Sequence, residues 1–498
     1  MIRIARTECG LVSGLPAADP RITAFKGIPF AAPPVGENRW RAPQPAAPWE
    51  GTRPCFAFAP ISMQHIPGLD KDNIYSREWN VDPEIPMDED CLYLNVWTPA
   101  KAPGEKLPVF VWYFGGGLQE GNPAEMEFDG ERIARRGIVV VSVNYRLNVF
   151  GFLAHPQLTA EQPDAPANFG HLDQQAGTRW VKRNIAAFGG DPENITIGGQ
   201  SAGGMSVCAQ LTSPQNQGLF QKAIIQSGIM AGGYGMAGAM PSFGMAGAEQ
   251  QGVRFFELLG VKTLEEARGL DAKLIRDKCQ EAHVFFGTVP DGVFQTEDYM
   301  TGLFSGRRSQ VPLMITRTNA EFTQKLAAAD AAELKAKAEP IFGSRTADFL
   351  AACGGDPEQT GVSPTEIAAR ALQKRDEALG VAAPIYYAVF GAEIPGWDKP
   401  GAFHSVDLWF YFETLAKCWR PFTGKHYDLA RRMCNYWANF IRSGDPNGPD
   451  ADGAPMETWA PLTTAEPRAM HFMEKAEAVL DQPSPLMTLL VEDYLAKN

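Results

Sequence analysis

No uninterrupted apolar run in the 498-residue chain reaches the ~18 residues that a membrane-crossing helix needs, so a membrane partner is not expected. The opening residues MIRIARTECGLVSG lack an apolar h-region and a small-residue cleavage site, which argues against a secretory signal. Cysteine is sparse: eight residues, with no C-x-x-C and no metal-like spacing. In a chain this long they read as mostly buried free thiols of a reducing compartment, which makes the expected location cytoplasmic. The seven histidines do not cluster, so neither a metal nor any other cofactor is implied. Positive charge is in the minority, with 45 Lys+Arg against 58 Asp+Glu and a net charge of −13. Such a chain repels phosphate backbones and is a poor candidate for binding nucleic acid. The single glycosylation sequon, Asn194-Ile195-Thr196, falls in a segment that reads as a buried strand and is taken as chance.

What is present is ordinary globular composition, 45% hydrophobic and 21% charged, which excludes disorder, collagen and coiled coil. There is no internal repeat and no long linker, so residues 1–498 are read as one domain. Short β-branched runs at 109–113, 138–144, 195–198, 223–226 and 313–316 are apolar on both faces, as strands of a covered, mostly parallel sheet must be. Helical patterns occupy 171–187, 202–211 and 428–442. This alternation specifies an α/β architecture with ligands at the C-terminal ends of the strands. Two stretches break it. Residues 28–49 carry six prolines and must be irregular or short-stranded. Residues 230–247 are rich in Gly, Ala and Met, and read either as a surface loop or as an adaptable wall or lid using Met230, Met236, Met240 and Met245.

The strongest chemical signal is Gly199-Gln200-Ser201-Ala202-Gly203, lying between a strand pattern and a helix pattern. A sharp strand-to-helix turn with flanking glycines projects the serine Oγ above the sheet edge. The helix N-terminus behind it offers free N–H groups to a developing oxyanion. Phe114-Gly115-Gly116-Gly117 follows another strand, and consecutive glycines let backbone N–H groups converge on one point, as an oxyanion hole requires. A serine nucleophile needs a base, and the base needs an orienting acid. After Ser201 the histidines are His283, His404, His426 and His471. His404 lies in a small-residue turn before an aromatic run, as a loop histidine above a sheet would. Glu321 stands just past the strand at 313–316, although the residues alone leave several carboxylates open.

Beyond these motifs the chain resembles the type-B carboxylesterase family, which includes the cholinesterases and bacterial para-nitrobenzyl-type esterases. The similarity covers nearly the whole chain. Its matching stretches include Phe25-Lys26-Gly27-Ile28-Pro29-Phe30-Ala31, Asp88-Glu89-Asp90-Cys91-Leu92-Tyr93-Leu94-Asn95-Val96, Asn168-Phe169-Gly170-His171-Leu172-Asp173-Gln174 and Ser443-Gly444-Asp445-Pro446-Asn447. The resemblance implies an α/β-hydrolase fold: a central, mostly parallel mixed sheet covered by helices on both faces, with inserted loops forming an active-site gorge. It implies Ser201 as nucleophile, Glu321 as acid and His404 as base, with Gly116, Gly117 and Ala202 as oxyanion-hole donors and no cofactor. Arg146 with Asp173, and Arg39 with Glu89, match ion pairs that pin loops in the family. The family's early disulfide would join Cys91 to a residue that is Ser62 here.

The implied activity is hydrolysis of a small-molecule carboxylic ester in an apolar gorge, through an acyl-enzyme. The alternatives are a hydrolase specialised for carbamates, amides or one bulky ester, and a non-catalytic binding homologue. Departures from the family pattern bear on specificity. Phe114 stands where many members have His and cannot donate a hydrogen bond, which leaves its loop to be held by packing. Gln200 stands where Glu is usual. Trp79 matches a pocket tryptophan at a shifted offset, as part of an aromatic wall or of the core. Met230 completes the candidate pocket residues.

Overall fold

The computed structural model describes residues 1–70, 72–232, 234, 244–451 and 453–497. A small sheet near the N-terminus is built from β1 (Ile4–Arg6), β2 (Leu11–Ser13) and β5 (Thr52–Pro54). The main sheet holds eleven strands. Its first half in chain order is β3 (Leu15–Pro16), β4 (Thr23–Pro29), β6 (Tyr93–Thr98), β7 (Leu107–Tyr113), β8 (Val139–Val143) and β9 (Gly190–Gln200). The second half is β10 (Lys222–Gln226), β11 (Leu313–Thr318), β12 (Ile385–Phe390), β13 (Arg468–Phe472) and β14 (Ala476–Leu480). The spatial order is β14-β13-β12-β11-β10-β9-β7-β8-β6-β4-β3. From β13 through β8 every neighbouring pair is parallel, and antiparallel strands close both edges.

Side-chain alternation along β7 shows how the sheet separates two cores. Phe110 and Trp112 point into one cluster, and Val109, Val111 and Tyr113 into the other. The first cluster is filled by Met433, Tyr436, Trp437 and Phe440 of the helix Gly424–Ser443, whose spacing puts them on one stripe. The second is filled by Trp180 and Val181 of the helix Phe169–Asn184, by the helix Pro364–Leu379 and by the helix Pro485–Lys497. With both faces covered, the strands are apolar throughout, as in Val139–Val143, where every residue is buried.

The proline-rich stretch forms no strand beyond Pro29, where β4 ends, and contains one short 3₁₀ turn, Gly36–Asn38. Met236 and Met240 lie outside the described residues. Met245 belongs to no loop: it opens the helix Met245–Leu259 and packs against Ala154, Ala167, Ala248 and Val289. The Arg146–Asp173 pair is fully buried at 2.7 Å, and Arg39 grips Glu89 at 2.6 Å. All eight cysteines are free thiols. Cys91 is buried against Ser62, and burial pushes its thiol far up.

Candidate active site

Ser201 sits at the turn from β9 into the helix Ala202–Thr212 with φ +56°, a left-handed conformation that a residue with a Cβ rarely adopts. The neighbouring glycines make this turn possible. A Cβ on Gly203 would stand 2.1 Å from the Tyr113 carbonyl oxygen, and one on Gly199 would stand 2.3 Å from Gly203. The Ser201 N–H donates to the Gln226 carbonyl at 2.9 Å, tying the turn to β10.

The glycine loop leaves β7 directly beside this turn. Gly116 and Gly117 have φ of +101° and +65°, and a Cβ on Gly116 would clash with the Glu120 carbonyl at 2.1 Å. Among the hydrogen bonds of the described residues, no protein acceptor takes the N–H of Gly116, Gly117 or Ala202. Three unclaimed donors beside a serine hydroxyl are what an oxyanion needs. The expectation that Phe114 leaves this loop to packing alone is corrected. The Tyr145 hydroxyl donates to the Phe114 carbonyl at 2.6 Å while the rings stack at 4.3 Å. Gln64 adds a two-way bridge to Gly121, accepting from its N–H at 2.7 Å and donating to its carbonyl at 2.9 Å.

Glu321 follows β11 by three residues. Its Oε2 meets His404 Nδ1 at 2.5 Å. Its Oε1 accepts from the Ser227 hydroxyl at 2.7 Å and from the Thr318 N–H at 3.0 Å. The carboxylate is therefore buried but fully engaged, 1% exposed against 14% for the His404 side chain. Asp407 lies behind it, fully buried and accepting from Gln226 at 3.1 Å. Burial, then the Glu321 charge, pushes the Asp407 carboxyl up to about 8, so it stays neutral and does not compete for the imidazole. Sequence reasoning missed both second-layer residues. Ser227 stands just past the end of β10 with no catalytic signature of its own, and Asp407 stands three residues past His404 with no periodic signal.

Ser201, His404, Gln200 and the glycine loop line one cavity of about 310 Å³. Gln200 Nε2 lies 3.2 Å from His404 Nε2, and among the described residues no hydrogen bond joins that nitrogen to the Ser201 hydroxyl. Trp79 lines the cavity as part of an aromatic wall, stacked on Phe403 and tilted against Tyr75 and Trp409. Two expected lining residues are displaced. Phe114 is fully buried behind the loop on Tyr145, and Met230 is half-buried and outside the set that lines this cavity. The cavity is also less apolar than expected, because Glu120, Glu125 and Glu127 border it. Burial pushes Glu120 up, Glu125 to about 7, and Glu127 well above the usual carboxylate range.

This arrangement, a strained serine beside free N–H donors and a histidine–carboxylate pair at the C-terminal edge of a mostly parallel sheet, defines the serine-hydrolase class of the α/β fold. The chain belongs to the carboxylesterase family: the family model described as "Carboxylesterase family" matches residues 2–352 and 359–485. Its relatives include a para-nitrobenzyl esterase of Bacillus subtilis, 31% identical over 479 residues, covering 89% of this chain and 91% of that one. A fumonisin B1 esterase of Sphingopyxis macrogoltabida is 42% identical over 225 residues, covering 45% of this chain and 39% of that one. Among solved structures, a PNB esterase superposes with a TM-score of 0.79 at 26% identity, covering 99% of both chains. The protein is accordingly a carboxylesterase, a serine hydrolase acting on ester bonds, and none of the helices among its described residues is long and apolar enough to cross a membrane.

Proposed function

We propose that Ser201, His404 and Glu321 carry the ester hydrolysis, with Gly116, Gly117 and Ala202 as the oxyanion hole. The observation that supports this most is the 2.5 Å His404–Glu321 contact, opening onto the cavity that also contains the strained Ser201. Gln200 Nε2 is a donor, so the imidazole Nε2 accepts and the ring proton sits on Nδ1, facing Glu321. That tautomer is the one a general base needs. In the reaction the Ser201 hydroxyl swings onto Nε2 in place of the Gln200 amide and gives up its proton as its Oγ bonds the ester carbonyl carbon. The oxyanion then accepts from the three backbone N–H groups. Collapse breaks the bond to the alcohol oxygen, which leaves with the proton from Nε2, and water repeats the sequence on the acyl-enzyme.

The fully engaged Glu321 stabilises the imidazolium that forms in each half-reaction. The ester itself lies against Trp79 and the glycine loop. The eight free thiols, with Ser62 beside Cys91, support work in a reducing compartment, the cytoplasm. The test is turnover of a neutral aryl ester by Ser201→Ala, where a loss on the order of 10⁴–10⁶-fold in kcat is expected. Activity retained within tenfold would assign the nucleophile elsewhere.

A further inference from the structure

The two buried carboxyls at the end of the cavity take no part in the chemistry proposed above. Glu127 is 0% exposed, borders the cavity, and has no hydrogen-bond donor on either carboxyl oxygen among the described residues. Glu125 is held from one side, its Oε1 accepting the Asn122 N–H at 2.9 Å, and its carboxyl meets that of Glu127. Both stand on the 3₁₀ turn Met126–Phe128 or immediately before it, and the turn is fixed by the Thr414 hydroxyl donating to the Glu127 carbonyl at 3.1 Å.

A buried carboxyl without donors is unfavourable unless something supplies them. The charged groups around the pair do not. Arg420 is committed to Glu78 at 2.6 Å and to Asp398 at 2.9 Å. Lys417 is committed to Asp129 on the outer side of the turn. The remaining titratable neighbours, Glu78, Glu120 and Tyr145, carry no positive charge, and His65 acts on Glu120. With no cation present, the two carboxyls can relieve their repulsion only by staying protonated or sharing a proton.

We propose that Glu125 and Glu127 form a receptor for a primary ammonium group on the substrate ester, inside the catalytic cavity. The inference rests on the assignment of Ser201, His404 and Glu321 as the catalytic groups of that cavity. A primary ammonium brings both the missing charge and three N–H donors for the open oxygens. A quaternary ammonium brings charge without donors and leaves Glu127 unsatisfied, so the receptor distinguishes the two. Binding is coupled to loss of one proton from the doubly protonated pair, because a neutral pair attracts a cation weakly, whereas the pair that keeps a single shared proton carries one negative charge. The Glu125 carboxyl is pushed up to about 7 by burial, so recognition strengthens as pH rises through neutrality.

The experiment compares kcat/KM for aminohexyl butyrate, heptyl butyrate and trimethylammoniohexyl butyrate, so that the pH dependence of the catalytic histidine cancels in the ratios. The amino-to-heptyl ratio should rise about tenfold between pH 6 and pH 8, the change in ionised fraction of a group titrating near 7. The trimethylammonio ester should gain several-fold less, and Glu127→Gln should flatten the pH dependence of the amino-to-heptyl ratio. Fluorophosphonate labelling at Ser201 reports that the variant site is intact. As a measurement that needs no variant, inhibition of the unmodified enzyme by butylammonium chloride should strengthen about tenfold over the same pH interval. Heptyl butyrate turned over with a flat amino-to-heptyl ratio, or a ratio that Glu127→Gln leaves unchanged, overturns the receptor alone. Absence of heptyl butyrate hydrolysis together with absence of labelling at Ser201 overturns the catalytic assignment on which it rests.

Discussion

Gln200 touches both Ser201, as its chain neighbour, and His404, through its side-chain amide. It precedes Ser201 in the chain, it is 2% exposed, and its amide nitrogen lies 3.2 Å from His404 Nε2. As an amide it can donate to the imidazole and adds no charge. A carboxylate in its place would favour the imidazolium and attract a cationic substrate. Gln200→Glu should therefore move the acidic limb of kcat/KM to higher pH and shift preference from dimethylbutyl acetate towards acetylcholine by roughly tenfold, about 1.4 kcal/mol. The check is that ratio at low and high salt. A ratio and an acidic limb both left unchanged by Gln200→Glu would show that position 200 does not set the field beside Ser201. Position 200 is legible in the sequence because it lies inside a motif. Ser227 and Asp407 are not, because they reach their partners Glu321 and Gln226 by packing, and no spacing rule connects residues 94 and 181 positions apart in the chain.

At the level of elements, the decisive unit is the turn between β9 and the helix Ala202–Thr212, packed against the end of β7. Its sequence signature was readable because the steric demand is absolute: only glycine fits where a Cβ would lie 2.1 Å from the Tyr113 carbonyl oxygen. Gly203→Ala should therefore forfeit folded, labelled enzyme, with a destabilisation on the order of 3 kcal/mol or more, read from Tm and fluorophosphonate uptake. A Gly203→Ala enzyme with unchanged Tm and labelling would show that β7 and the helix can part without consequence. Element boundaries were less legible. The helix expected over 428–442 runs Gly424–Ser443, because the Thr423 N–H is taken by His426 Nδ1 at 3.0 Å, an N-terminal device whose third residue is histidine rather than the usual acid or amide. At the other end Gly444, with φ +82°, closes the helix as the glycine rule predicts. The strand core 195–198 extends back to Gly190 in β9, passing Pro192 at its partly exposed start. There the lost ladder donor matters least.

For the molecule as a whole, the acidic balance has an interior counterpart. Asp407, Glu125 and Glu127 are buried carboxyls pushed above their ordinary range by burial. Each binds a proton in the folded state that the unfolded chain releases near pH 4, so the fold loses stability as pH rises from there towards their folded values. Asp407→Asn removes one such group without changing its size. Its stability relative to wild type should increase between pH 5 and pH 8, by on the order of 1 kcal/mol per pH unit, measured by denaturant unfolding. A pH-independent difference would show that Asp407 is ionised in the fold. The α/β class was legible because apolar runs alternated with helical periods. The far edge of the sheet, β12 to β14, was not marked out, since β13 and β14 are short and β14 is largely open to solvent, and Ile385–Phe390, although apolar throughout, follows a long helical insertion.

The central claim is that one strained serine, Ser201, carries the chemistry with His404 and Glu321. It is tested most directly by reacting the native enzyme with a fluorophosphonate and locating the adduct by peptide mass spectrometry. One phosphonyl group per chain, on the peptide containing Ser201, formed in step with loss of esterase activity and much more slowly in Glu321→Gln, is the predicted result. An adduct on a different serine, or complete inactivation with Ser201 unmodified, would contradict it.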